Sequence, residues 1–113
     1  MRNVKVIFET SLGLRIMGIL TKKQQKLYNS FYESTHENDY LDNKTEILVG
    51  LAASMAMNCA PCTNYYLKMS KEMSINKGEI FEVLAKVMAV SAGQKRLQVE
   101  EVIKNNEIDI ESY

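Results

Sequence analysis

From Ile47 to Met57 the chain is apolar at every position except Gly50 and Ser54, and this run limits what the rest of the molecule can build. Asp42, just ahead of it, is a good N-cap, so the run reads as the body of a helix that opens near residue 43. A helix without a polar face has no side to give to water. It belongs in the middle of a bundle or between subunits. The uncharged stretch continues to Leu67 and is long enough to cross a membrane, but Asn58, Pro61, Thr63 and Asn64 interrupt it. A buried core helix is therefore expected, with no membrane partner.

The flanking segments carry helical period too. Thr21 with Gln24 fits a capping box; Leu27, Tyr28, Phe31 and Tyr32 then recur on one face, giving a first helix to about Ser34. The polar stretch from Thr35 to Asp39 reads as a loop, with His36 in water. Pro61 suits the first turn of a helix and not its interior, so the third helix is expected to start around Ala60 to Cys62. Tyr65, Tyr66, Met69 and Met73 continue one stripe from Cys62. Asn76 and Glu79 form a second capping box, ahead of a wide apolar face from Ile80 to Val90. Gly93 is expected to end or kink that helix, leaving Gln94 to about Lys104 as a fifth, with Leu97, Val99, Val102 and Ile103 inward. Alternation at Val4, Val6 and Phe8, and at Ile108 and Ile110, is too short for strands.

The fold class expected is all-α: one domain over residues 1–113, a small helical bundle of about five helices. So many apolar faces exceed what short helices can bury within one chain, which predicts a homo-oligomer. Lys plus Arg equals Asp plus Glu at 14 each. A chain of zero net charge lacks the basic footprint of a nucleic-acid binder. Glu9 and Arg15 interrupt the early apolar stretch and no small-residue cleavage site follows, so no secretory signal is expected and a cytoplasmic location is. There the two cysteines would rest reduced, and a pair at this spacing points to catalytic or metal chemistry rather than a structural disulfide.

Cys59 and Cys62 stand at i and i+3 across a helix start, on one side and within reach of a disulfide. Unpaired first-turn amides and the positive end of the helix dipole favour a thiolate there. The neighbouring thiol can then resolve a sulfenic acid or a mixed disulfide. The bland alternative is a pair of small buried hydrophobes at a helix junction. Zinc needs three or four ligands, and the chain has two cysteines and His36, so neither a metal nor a cofactor is expected. Glycine-rich phosphate loops, a Gly-x-Ser-x-Gly elbow and an acidic magnesium cluster are absent from the sequence.

Leu41-Asp42-Asn43-Lys44-Thr45-Glu46, then Leu51-Ala52-Ala53-Ser54, then Asn58-Cys59-Ala60-Pro61-Cys62 resemble the core of the alkylhydroperoxidase D-like, or carboxymuconolactone decarboxylase, family. The similarity continues through Asn76-Lys77-Gly78-Glu79-Ile80-Phe81-Glu82-Val83 and ends near Ala92-Gly93. The resemblance implies an all-helical fold assembling as dimers, trimers or hexamers. It also implies an antioxidant peroxidase or disulfide reductase that draws electrons from a dithiol donor. Cys62 would then attack a peroxide and Cys59 would resolve it. The decarboxylase members lack the cysteine pair, so decarboxylation is the weaker inheritance.

Two positions depart from the family pattern. The family has a histidine four residues after the second cysteine, where this chain has Tyr66. It has a glutamate twelve residues ahead of the first cysteine, where this chain has Ile47, with Glu46 about 100° round the helix. A phenol can hydrogen-bond a thiolate but is a poor base at neutral pH. Cys62, Cys59 and Tyr66 are the candidate catalytic residues. The alternative is a non-catalytic helical oligomer, a scaffold or binding subunit with a degenerate site.

Overall fold

The computed structural model describes residues 19–113. Four helices follow one another, α1 (Lys22–Ser34), α2 (Asn43–Ala56), α3 (Ala60–Glu72) and α4 (Lys77–Asn105), with one 3-10 turn at Ile110–Ser112. The described residues contain no strand. The alternation at Val4, Val6 and Phe8 and the charges around Glu9 and Arg15 lie outside them.

Each main helix starts on a side chain that takes an otherwise unpaired amide. Thr21 and Gln24 form a capping box on α1, and Asn76 and Glu79 form one on α4. The Asp42 carboxylate accepts the Thr45 N–H at 2.7 Å. Three helices end alike. Asn58, Ser74 and Glu107 adopt φ of 56°, 58° and 51°. The next residue then donates back to a carbonyl of the last turn: Cys59 to Ser54 at 2.9 Å, Ile75 to Ser70 at 2.9 Å, and Ile108 to Ile103 at 3.0 Å. This left-handed closure stops α2, α3 and α4.

Gly93 does not stop α4, which runs unbroken for 29 residues. Nothing lies within 4 Å of the place a Cβ would occupy on Gly93, so no close approach requires a glycine there. A lone glycine costs a helix about 1 kcal/mol against alanine, too little to break one that is otherwise well formed. The described chain thus has four helices instead of five.

The core is small and sits between α2, α3 and the start of α4. Ile47, Tyr65, Met69 and Ile75 form it, with Tyr32, Leu48, Tyr66 and Ile80 packed against it, and Leu51 is fully buried. A Cβ on Gly50 would overlap the Tyr66 ring, so α3 lies against α2 at the closeness glycine allows. A Lys44–Glu79 ion pair ties the start of α2 to the start of α4. Beyond this, α4 has no buried residue. Leu97, Val99 and Val102, expected inward, are exposed, and Ile103 alone among residues 94–105 is half-buried. On α2 only Glu46, Ile47, Leu51 and Ser54 are buried. Val49 faces out.

Candidate active site

The turn between α2 and α3 places the two cysteines. Asn58 in the left-handed region ends α2, and the Cys59 N–H returns to the Ser54 carbonyl. Cys59 is thereby set as the N-cap of α3, and its Sγ accepts the Cys62 N–H at 3.3 Å. Pro61 sits in the first turn, where a missing N–H costs nothing. Below the turn the Thr63 hydroxyl donates to Ser54 Oγ at 3.2 Å, and the Ser54 hydroxyl donates to the Leu51 carbonyl at 2.8 Å. The pair therefore rests on a hydrogen-bonded floor that fixes α3 to α2.

Cys59 and Cys62 are joined as a disulfide with their Cα atoms 5.3 Å apart. Both are half-buried. The Cys62 amide is aimed at Cys59 Sγ; of its neighbours in the first turn, Pro61 has no N–H and Thr63 donates to the Cys59 carbonyl. A thiolate formed here meets positive partial charge at once. A sulfur stabilised in this way is also a good leaving group in exchange.

Tyr66 follows Cys62 by one helical turn on the same side of α3. Its ring lies over Gly50 and edge-on to Tyr65 at 5.0 Å. Burial, and then the neighbouring Tyr32, Glu46 and Tyr65, push its hydroxyl well above the usual phenol range. Tyr66 is thus a neutral hydrogen-bonding group at physiological pH and does not serve as a base.

His36 is not in water. Its side chain is only 4% exposed, and Nδ1 lies 3.2 Å from Glu46 Oε2. That is ion-pair distance, although the atoms are off the line of a good hydrogen bond. The ring meets Tyr32 edge-on at 5.2 Å and Tyr65 edge-on at 6.1 Å, and stacks beside Tyr66 at 6.4 Å. The polar loop folds inward because four partners from three helices surround that ring. Glu46 is itself buried, next to Ile47. An imidazole and a carboxylate therefore meet beside Tyr66, from positions sequence reasoning did not select. The available signal was Tyr32, one turn ahead of His36 on the same face. On its other side Glu46 lines a cleft of about 360 Å³ with Asn43, Ile47, Met69, Glu72 and Met73.

Among the described residues no three His, Cys, Asp or Glu side chains converge as a metal site. No described helix is long and apolar enough to cross a membrane.

The sequence model of the carboxymuconolactone decarboxylase family matches residues 23–105. The chain belongs to the carboxymuconolactone decarboxylase family. No curated protein and no solved structure matches it. The family match runs from the first turn of α1 to the end of α4. In this member of the carboxymuconolactone decarboxylase family it takes in the His36 loop as well as the cysteine turn. It also reaches beyond the motifs between Leu41 and Gly93, into the exposed half of α4.

Proposed function

We propose that this member of the carboxymuconolactone decarboxylase family is a cytoplasmic dithiol oxidoreductase that reduces peroxides or disulfides through Cys59 and Cys62. One observation carries the reading: the two cysteines bond to each other at the start of α3, with a backbone N–H aimed at one sulfur. With a peroxide ROOH, the Cys62 thiolate attacks one oxygen and the O–O bond breaks. The alkoxide takes a proton and leaves as ROH. The Cys59 thiolate then attacks the Cys62 sulfenic sulfur, and hydroxide departs as water after protonation. A dithiol donor supplies two electrons and two protons to restore both thiols, becoming a disulfide itself. With a disulfide substrate, one cysteine forms the mixed disulfide and the other displaces it. Tyr66 serves as a neutral hydrogen-bond donor to the Cys62 sulfur. Slow peroxide turnover follows, because no base adjoins the thiol in its first turn.

The working form on this reading is a homo-oligomer, a dimer, trimer or hexamer. The exposed apolar residues of α4, Phe81 and Met88 among them at 62% each, support it. The phenol in place of a base favours a second reading, a non-catalytic oligomeric subunit with inert thiols. Mild oxidation of the reduced protein separates the two. On the first reading, mass spectrometry finds a reversible two-hydrogen loss within the peptide holding Cys59 and Cys62. Thiols that stay free, or bridge only between subunits, establish the second.

A further inference from the structure

His36 is the only histidine of the chain, and nothing in the dithiol chemistry above uses it. Its burial is costly unless the ring is partnered, and an ion pair out of water returns little net stability. Glu46 stands at ion-pair distance from Nδ1, and neither buried ring nitrogen makes a hydrogen bond among the described residues. The groups facing the ring are Tyr32 from α1, Glu46 from α2, and Tyr65 and Tyr66 from α3. Glu46 is the one carboxyl side chain among those four partners, and burial holds the Tyr32 and Tyr66 hydroxyls protonated. Imidazole is the side chain whose charge ordinarily changes between pH 5 and 8. Protons reach the pair without unfolding, because Glu46 also lines the 360 Å³ cleft. Tyr66 links the pair to the chemistry: its ring packs on His36, and its backbone is one turn from Cys62.

We propose that His36, held by Glu46, is a positioning residue that keeps the proton left over when the Cys59–Cys62 disulfide is reduced to one thiol and one thiolate. The proposal rests on the dithiol reading of the site. Reduction by a dithiol donor breaks the S–S bond and delivers two electrons and two protons, and the donor closes to a disulfide. One proton goes to one cysteine sulfur. The other sulfur stays a thiolate, and the second proton resides on the His36 imidazole. The cation and the thiolate then stabilise each other across Tyr66, so each raises the population of the other by the same factor. Coupled sites of this kind titrate as a pair.

A single histidine makes the test direct. The imidazole resonances of the full chain are followed by NMR against pH, once with the disulfide closed and once with it reduced. Reduction is expected to raise the His36 midpoint by roughly half a pH unit, the scale for two charges on the order of 10 Å apart in a partly solvated setting. The pH profile of thiol alkylation should show the reciprocal inflection. His36→Gln should abolish that inflection, and Glu46→Gln should move it to lower pH by removing the anion that favours the cation. Identical midpoints in both redox states, or an imidazole that does not titrate, would overturn the proposal using the unaltered protein alone. So would an alkylation profile that His36→Gln leaves unchanged. If the midpoint shifts but no dithiol, peroxide or disulfide turns the pair over, the coupling stands and the enzymatic reading fails. If the pair turns over with no shift, the coupling alone fails.

Discussion

The α2–α3 hairpin and α4 draw on similar apolar residues and put them to different use. In the hairpin, Ile47, Leu51, Tyr65 and Met69 are buried, a glycine brings the helices together, and the connecting turn holds the cysteines. In α4, which is twice as long as either helix of the hairpin, no residue is buried, and Phe81, Met88, Leu97 and Val99 face outward. The hairpin, with Tyr32, Ile75 and Ile80 packed against it, holds the buried contacts, which is what a site needing fixed geometry requires. The second half of α4 is largely exposed among the described residues. An apolar period reveals that a helix has a face to bury and does not reveal against which molecule.

The contrast is most exposed to test by truncation. Leu51→Ala removes a fully buried side chain and is expected to cost about 2–5 kcal/mol in denaturant unfolding. Leu97→Ala, at an exposed site on α4, should change the stability of the separated chain by no more than about 0.5 kcal/mol. In an assembly built on α4 that same change should weaken association, seen as a concentration-dependent midpoint. Equal costs at Leu51 and Leu97 in dilute monomer would erase the distinction.

Two glycines sharpen it with opposite signs. Gly50→Ala forces a methyl into the Tyr66 ring and should destabilise by roughly 1–3 kcal/mol, with Tyr66→Ala recovering part of the loss. Gly93→Ala meets nothing and should stabilise by up to about 1 kcal/mol. Thermal or chemical melts of the two variants decide the matter. A stabilising Gly50→Ala would mean the helices are not held at that spacing.

The pH response should divide along the same line. Free phenols ionise near pH 10, while Tyr32, packed against the hairpin, and Tyr66, within it, keep their protons to higher pH. The folded state then binds more protons than the unfolded one, so stability is full below about pH 10 and falls as pH rises above it. Tyr66→Phe should flatten that fall. The Asp42 and Glu79 carboxyls are held below their usual range, by hydrogen bonds with Thr45 and Lys44 respectively. Their contribution is present above the ordinary carboxylate range and is lost as pH drops through the lowered values. Asp42→Asn and Glu79→Gln should each reduce the acid sensitivity of unfolding.

The smallest effect is expected at the far end of α4. Glu107 stands in the left-handed region at φ 51°, where a side chain is disfavoured. Glu107→Gly should stabilise by about 0.5 kcal/mol, the strain relieved less the added chain entropy. A loss of stability there would mean the carboxylate has a role of its own.

Local features of this fold were legible in the sequence. The N-caps at Thr21, Asp42 and Asn76, and the placing of Pro61 in a first turn, depend on a few neighbouring residues and stand as expected. The disulfide-competent spacing of Cys59 and Cys62 was legible for the same reason. The end of the last helix was not, because glycine only lowers helix propensity, whereas the closing left-handed turn falls on Glu107. His36 was misplaced because its surroundings are tertiary. A polar loop describes its sequence neighbours, while the partners that draw the ring inside stand at Glu46, Tyr65 and Tyr66.

The central claim is that Cys59 and Cys62 form a working redox pair. The most direct measurement is a single-turnover reaction of the fully reduced protein with an organic peroxide and, separately, with a small disulfide. Thiols and intramolecular disulfide are counted by mass at each time, for the unaltered chain and for Cys59→Ser and Cys62→Ser. The expected result is closure of one intramolecular disulfide per chain, reopened by a dithiol, with a trapped sulfenic acid or mixed disulfide in Cys59→Ser. Cys62→Ser should lose the peroxide reaction, and Tyr66→His should speed it in the natural background only. Thiols in the folded, reduced chain that react no faster than an ordinary free cysteine with either substrate would contradict the account.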